Sequence, residues 1–236
     1  MNFEKFINAC WFGLLLSVSI NAQSLDARSI INRGNTLFSN TRYELAIKEY
    51  ERVSTKTPEA YARATYNIGV CYYELWRNDE AIRYYQRALE LSHRRYPSAS
   101  FALGVALEDE HRFVEAKAAY TLTIKASGGK HGPALFKLGL LMANERRIEE
   151  AAKIFRAAIA QPGRHQASSH NNLGVMLAQL GKLSAAEIEF LIAAQQGDEF
   201  PEATQNLRLC RLLMVTTSNL SLNQELRVST NWQGGH

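Results

Sequence analysis

Clusters of acidic residues and histidines are the first candidates for chemistry in this sequence. The acidic clusters are Glu108–Glu110 and Glu149–Glu150, and the closest histidines are His165 and His170. Paired carboxylates can act as a general acid and base, and histidines can bind zinc. The acidic clusters, however, fall at expected helix ends or turns, and the two histidines lack Cys or carboxylate partners at ligand spacing. The P-loop, GxGxxG, GxSxG and HExxH motifs are also missing. We therefore predict no enzyme activity, no catalytic residues, no metal site and no cofactor.

The overall charge also argues against a nucleic-acid partner. The chain is 46% hydrophobic and 21% charged, with a formal net charge of only +4. Lys and Arg are spread along expected helices with Glu nearby, as in "RNDEAIRYYQRALE" (77–90). Such interleaving is typical of solvated helix faces with local ion pairs.

A fixed interval of 35 residues organises most of the chain. Five glycines follow it: Gly34, Gly69, Gly104, Gly139 and Gly174. An alanine lies twelve residues after each: Ala46, Ala81, Ala116, Ala151 and Ala186. An aromatic residue lies four further on: Tyr50, Tyr85, Tyr120, Phe155 and Phe190. A period of this length indicates stacked structural repeats.

Each repeat is predicted to be a hairpin of two helices. A glycine inside a helix costs about 1 kcal/mol relative to alanine, so its recurrence needs a packing reason. We expect the glycine to let the two helices approach closely, with the alanine facing it from the second helix. The aromatic residue is expected to fill space toward the next repeat. The prolines all fall at junctions between repeats or at the entry to the next, where they interrupt no helix interior.

The repeated residues resemble the tetratricopeptide repeat (TPR) family. The resemblance is carried by "NNLGVMLAQLGKLSAAEIEFLIAA" (171–194) and "YNIGVCYYELWRNDEAIRYYQRALEL" (66–91), and it covers residues 27–200. It implies an all-α fold, a right-handed superhelix (solenoid) of about five helix-turn-helix repeats. The expected repeats are 27–61, 62–96, 97–131, 132–166 and 167–200, followed by a capping helix at 201–214.

The resemblance also implies that the first helices line a concave groove. The residues it places there are Tyr66, Asn67, Phe101, Phe136, Lys137, Asn171 and Asn172. Asn amides can pair with a peptide backbone in both directions, and aromatic rings supply rigid contact area. The alternative is that the aromatic rings pack between neighbouring helices and that asparagine recurs as part of the consensus.

The expected function is therefore a non-catalytic scaffold or adaptor that binds a partner protein or peptide in this groove. Family analogy suggests assembly of an exported or envelope complex, such as pilus or secretion machinery. One alternative is an accessory subunit of a glycan-synthesis or transferase complex, and another is a binder of small ligands or glycans.

The two ends of the chain differ from the repeats. Residues 1–22 have the layout of a signal peptide, with cleavage expected after Ala22, and 23–26 form a short leader. The apolar run 6–20 is shorter than the ~20 residues that span a bilayer, so export to the periplasm or outside is favoured over an uncleaved inner-membrane anchor. The mature chain is thus expected to lack a membrane span. Residues 215–236 are polar and are expected to be a disordered tail.

Overall fold

The chain folds into α-helices joined by short turns. The computed structural model describes residues 26–196 and 201–216, and no β-strand occurs in these two ranges. The helices are α1 (26–39), α2 (Tyr43–Tyr50), α3 (Pro58–Glu74), α4 (Asn78–Leu91), α5 (Pro97–Asp109), α6 (Phe113–Ala126), α7 (Gly132–Asn144), α8 (Ile148–Ile159), α9 (Gln166–Gln179), α10 (Leu183–Gln195) and α11 (Pro201–Thr216). The all-α prediction is confirmed. The predicted signal peptide, residues 23–25 of the leader and residues 217–236 of the tail lie outside the described residues.

Consecutive helices form the expected hairpins. α3 packs against α4, α7 against α8, and α9 against α10. Proline occupies the first turn of α3, α5 and α7, where its missing N–H costs no helical hydrogen bond. α11 packs against α10 and α9, and it extends two residues beyond the end predicted for a capping helix.

The described residues divide into two compact units, one that ends at Ala116 and one that begins at Lys117, with the division inside α6. The core of the first unit is built from α1 to α4 and includes Ile30, Ile47, Tyr50, Val53 and Ile68. The core of the second unit is built from α7 to α11 and includes Phe136, Phe155, Leu173, Met176, Phe190 and Leu207.

The repeated glycines face the aromatic ring of their own repeat. A Cβ atom added at Gly69 would lie 2.8 Å from the Tyr85 ring, and one at Gly174 would lie 2.6 Å from the Phe190 ring. Gly139 has the same relation to Phe155, at 2.7 Å, and Gly34 lies against Tyr50. The prediction that the aromatic fills space toward the next repeat was therefore wrong in these four hairpins, because the ring fills the space that the glycine vacates. The repeated alanines are completely buried, as close helix packing requires.

The turn inside each hairpin has a shared backbone conformation. One residue of each turn has a positive φ between 56° and 73°, at the same 35-residue interval: Thr41, Trp76, His111, Arg146 and Gly181. Only glycine adopts this left-handed region without a steric cost from its Cβ. The first four repeats therefore carry a small backbone cost in this turn that the fifth avoids.

Candidate partner-binding surfaces

In the first unit, neighbouring first helices position three of the predicted groove residues. α3 carries Tyr66 and Asn67, α5 carries Phe101, and the two helices contact each other. All three side chains are half-buried. This partial exposure leaves surface on each residue that a bound segment can cover.

Tyr66 belongs to a cluster of three tyrosines. Its ring centroid lies 5.8 Å from that of Tyr85 on α4 and 5.1 Å from that of Tyr96, the residue before α5. Burial, reinforced by the neighbouring Tyr96, raises the pKa of Tyr66 to about 12, so its phenol is neutral at physiological pH. The packing alternative therefore applies in part to Tyr66, whose ring also joins α3 to α4 and to the start of α5.

A small amide network fixes Asn67. Its side-chain nitrogen donates to Asn35 Oδ1 at 3.2 Å, and the hydroxyl of Tyr50 donates to the same oxygen at 2.7 Å. These bonds connect α3 with α1 and α2. The orientation of the Asn67 amide is thus set before any partner arrives.

In the second unit, three of the predicted groove residues are completely buried: Phe136, Asn171 and Asn172. The ring of Phe136 lies 6.1 Å from that of Phe155, centroid to centroid. Asn206 on α11 donates to Asn171 Oδ1 at 2.9 Å, and Asn171 donates to Asn172 Oδ1 at 3.2 Å. The sequence places these residues in a partner-binding groove, and that assignment stays a prediction; in the structure their side chains are completely buried. Lys137 is half-buried.

The second helix of the second repeat carries a surface that the sequence analysis did not single out. A cleft of about 490 Å³ is lined by Tyr72, Arg77, Glu80, Arg83, Tyr84 and Arg87. A second cleft of about 460 Å³, lined by Asp79, Glu80, Ile82, Arg83, Gln86 and Arg112, shares Glu80 and Arg83 with it. Arg83 and Arg87 are four residues apart and lie on one helical face. That spacing was a visible signal, but it was interpreted as part of an evenly solvated surface.

The sequence profile of the tetratricopeptide repeat matches residues 31–100, 77–131, 101–165 and 131–203. These overlapping matches span most of the chain. The chain belongs to the tetratricopeptide repeat family. Members of this family are in general non-catalytic interaction modules. The family and the fold therefore support a protein-interaction scaffold as the general function of the TPR chain.

Solved structures of other TPR proteins share this fold. YrrB, whose structure is described as that of a TPR protein with an unusual peptide-binding site, is 19% identical, with a TM-score of 0.58 over 68% of this chain and 80% of its own. MamA from Desulfovibrio magneticus RS-1 is 16% identical, with a TM-score of 0.58 over 73% of this chain and 97% of its own. PilF from Pseudomonas aeruginosa is 15% identical, with a TM-score of 0.64 over 86% of this chain and 97% of its own. At these identities the likeness shows the fold alone. No curated protein matches the TPR chain by sequence.

Membrane-crossing helices and metal sites bear on other possible functions of the two described ranges, 26–196 and 201–216. None of the helices in these ranges combines the length and apolar character needed to cross a bilayer. No group of three or more His, Cys, Asp or Glu side chains in the same ranges is arranged to hold a metal ion. His165 and His170, the pair considered for zinc, have separate partners: His165 Nε2 lies 3.0 Å from Ala158 O, and His170 Nδ1 lies 2.7 Å from Glu189 Oε2.

Proposed function

We propose that this TPR protein is a non-catalytic scaffold that binds an extended segment of a partner protein on the first-helix face of α3 and α5. The observation that carries the proposal is that two half-buried aromatic residues, Tyr66 and Phe101, lie on contacting first helices, beside Asn67, whose amide is bonded to Asn35. The rings offer apolar contact, and the amide offers hydrogen bonds to a peptide backbone.

The buried residues of the second unit are left out of this binding face. Phe136, Asn171 and Asn172 have no exposed surface, so they would reach a partner only after a rearrangement. Lys137 lies in the second unit and is half-buried, and its contact with a partner stays a prediction from the sequence. The assignment to the first unit rests on Tyr66, Asn67 and Phe101 alone.

The biological setting is proposed by analogy. PilF and MamA share the fold, and YrrB is described as having a peptide-binding site. The description of YrrB supports peptide binding on this fold, family analogy suggests assembly of an exported complex, and the signal-like segment 1–22 supports export to the periplasm or beyond. Mass spectrometry of the protein from its own cells tests export: a mature chain starting at or near Gln23 supports it, and a full-length cytosolic product contradicts it.

Alanine substitution of the face residues tests the binding assignment. Phe101→Ala is expected to weaken capture of the native partner by more than about tenfold, because removing an anchoring aromatic often costs 2 kcal/mol or more. Asn67→Ala is expected to weaken it less. Tyr66→Phe is expected to leave capture intact, because it keeps the ring and its packing.

Phe113→Ala is the matched control for this test. Phe113 is an aromatic residue of the same unit, on α6, and 47% of its surface is exposed. Cross-linking in the native cells followed by quantitative mass spectrometry measures capture, and circular dichroism verifies the fold. Equal capture by wild type and Phe101→Ala, with both folded, contradicts the proposed face.

A further inference from the structure

We propose that the α3–α4 hairpin carries a second binding site, separate from the first-helix face, that takes an acidic segment of a partner protein. The site is the cleft formed by Tyr72, Arg77, Arg83, Tyr84 and Arg87, and we call it the arginine–tyrosine cleft. It includes Glu80 in its wall, so three cations face one carboxylate. The cleft has a volume of about 490 Å³, enough for several side chains of a bound segment.

Contacts within the cleft restrict the side chains of Tyr72, Tyr84 and Arg77 before any ligand binds. The rings of Tyr72 and Tyr84 are stacked with their centroids 5.2 Å apart. The guanidinium of Arg77 lies over the Tyr72 ring, 4.7 Å from its centroid, and Arg77 Nε donates to Glu80 at 2.8 Å. An arginine held by a ring and a carboxylate loses little conformational freedom when it binds an anion.

Arg83 supplies the least compensated positive charge of the cleft, because Glu80 offsets it only through a coulombic interaction without a direct ion pair. Within the described ranges Arg83 forms no ion pair, whereas Arg77 pairs with Glu80 and Arg87 pairs with Glu90 at 2.9 Å. Arg83 also lines both clefts on α4. A carboxylate in either cleft can therefore contact the Arg83 guanidinium.

Trp76 gives a second, independent indication of a binding surface. It directly precedes Arg77 in the turn between α3 and α4, and 90% of its surface is exposed. Its φ is +58°, at the turn position where the fifth repeat has Gly181. The conformation is shared by the equivalent residues of the other repeats, but the exposed indole is particular to this one, and it offers apolar contact area to a partner beside the cleft.

The composition of this surface favours a protein partner over other anionic ones. Trp, Tyr and Arg are the residues most enriched at the energetic centres of protein–protein interfaces. Because Asp79 and Glu80 lie beside the arginines, a long and uniformly charged phosphate backbone is a poorer match than a segment whose carboxylates alternate with neutral side chains. A bilayer surface is broad and flat, and it would not enter a cleft between two side-chain rows.

Peptide binding to the full chain tests the site. The probe is a fluorescein-labelled peptide of repeated Glu-Glu-Tyr, and the matched neutral probe is its Gln-Gln-Tyr analogue. Fluorescence anisotropy at low salt is expected to show binding of the acidic peptide and at least about tenfold weaker binding of the neutral one. No binding of the acidic peptide, or equal binding of both peptides, overturns the proposal.

Charge reversal locates the site. Arg83→Glu is expected to weaken binding of the acidic peptide by at least about tenfold, and Trp76→Ala by less. Arg156→Glu on α8 is the matched control, because Arg156 is exposed and also lacks an ion pair in the described ranges. An equal loss with Arg156→Glu would show general attraction to the basic chain and would overturn the site.

Two further arms separate this site from other ligands and from the first-helix face. Vesicles containing phosphatidylserine and a labelled oligothymidylate are tested with wild type and Arg83→Glu; binding of either that exceeds peptide binding and depends on Arg83 overturns the choice of a protein partner. Phe101→Ala is expected to leave peptide binding unchanged. Loss with Phe101→Ala would place the peptide on the first-helix face and overturn the second site.

Discussion

α1 and α9 are the first helices of the first and the fifth repeat, in the same register, and they differ in how much of their surface is buried. Four residues of α1 are buried, at positions 27, 30, 31 and 34, which is one face of a helix. In α9 every residue from 168 to 178 is buried. α9 contacts α8, α10 and α11, so it lies inside its unit rather than on one side of a hairpin.

The asparagines on these helices show what the difference means. Asn35 on α1 is exposed and bonds to Asn67, whereas Asn171 on α9 and Asn206 on α11 are completely buried and bond to each other. A half-exposed amide can exchange its partner for water or a peptide at little cost. When a buried amide loses its hydrogen bond, the full desolvation penalty of that group lowers the stability of the fold. The same residue type thus suits recognition in the first unit and packing in the second.

The largest effect is expected from filling the space beneath α9. Gly174→Leu pushes a side chain into the buried Phe190 ring and should lower the free energy of unfolding by about 1–3 kcal/mol or more. Thermal denaturation measures the loss. Hydrogen exchange should show it first in α11, which packs against α9 and α10.

Ala185→Leu is the control for the glycine variant, because Ala185 is an exposed small residue of the same repeat. It should leave the melting curve nearly unchanged. A melting temperature for Gly174→Leu equal to that of wild type would mean that Gly174 is not at a close helix contact.

Next in size is the contrast between the two amide networks. Asn206→Ala removes a buried donor from Asn171 and should cost about 1–3 kcal/mol. Asn67→Ala removes the donor to the exposed Asn35, leaves Tyr50 bonded to Asn35, and should cost less than about 1 kcal/mol. Urea denaturation of both variants provides the comparison. Equal costs would remove the distinction between a packing network and a recognition network.

A serine at one repeat position offers a gain in stability. Ser169 on α9 is completely buried, and its hydroxyl has no hydrogen-bond partner among the described residues. Its counterparts at the 35-residue interval are Ala64, Ala99 and Ala134, all buried. Ser169→Ala should therefore raise the free energy of unfolding by about 1 kcal/mol.

Ser29 occupies the same repeat position on α1, where it is exposed and its hydroxyl accepts a bond from Arg33 at 2.8 Å. Ser29→Ala should change stability by less than about 0.5 kcal/mol. Differential scanning calorimetry of both variants tests the pair. A destabilised Ser169→Ala would show that the buried hydroxyl is bonded in solution.

The smallest effect concerns two histidines of the second unit and appears only in acid. Burial lowers the pKa of His165 and of His131 below the usual value of 6.5. The unfolded chain then binds more protons than the folded one just below pH 6.5, so stability falls as the pH falls through this range and is retained above it. Melting temperatures at pH 8, 6 and 5 should show this loss in the wild type, and His165→Gln should show a smaller one. A loss in His165→Gln equal to that of the wild type would mean that His131 alone is responsible.

A substantial part of the fold was predictable from the sequence. Local spacing predicts the helical hairpins, the buried alanines and the family, because the same packing positions recur every 35 residues. The same spacing placed Tyr66, Asn67 and Phe101 on first helices, where the structure finds them half-buried. It did not reveal which aromatic ring covers each glycine, since that depends on where the second helix crosses the first.

The sequence by itself determined which residues share a position in the repeat, and the tertiary structure decided what each position touches. Asn67 and Asn172 have equivalent positions, yet one is half-buried and the other completely buried, because exposure depends on the neighbouring elements. The arginine–tyrosine cleft likewise joins residues at the end of α3, in the turn and along α4, and only the folded hairpin brings them around one space. Periodicity encodes local order, whereas burial and clefts arise from contacts between helices, whether these are consecutive, as α3 and α4 are, or further apart in the chain, as α9 and α11 are.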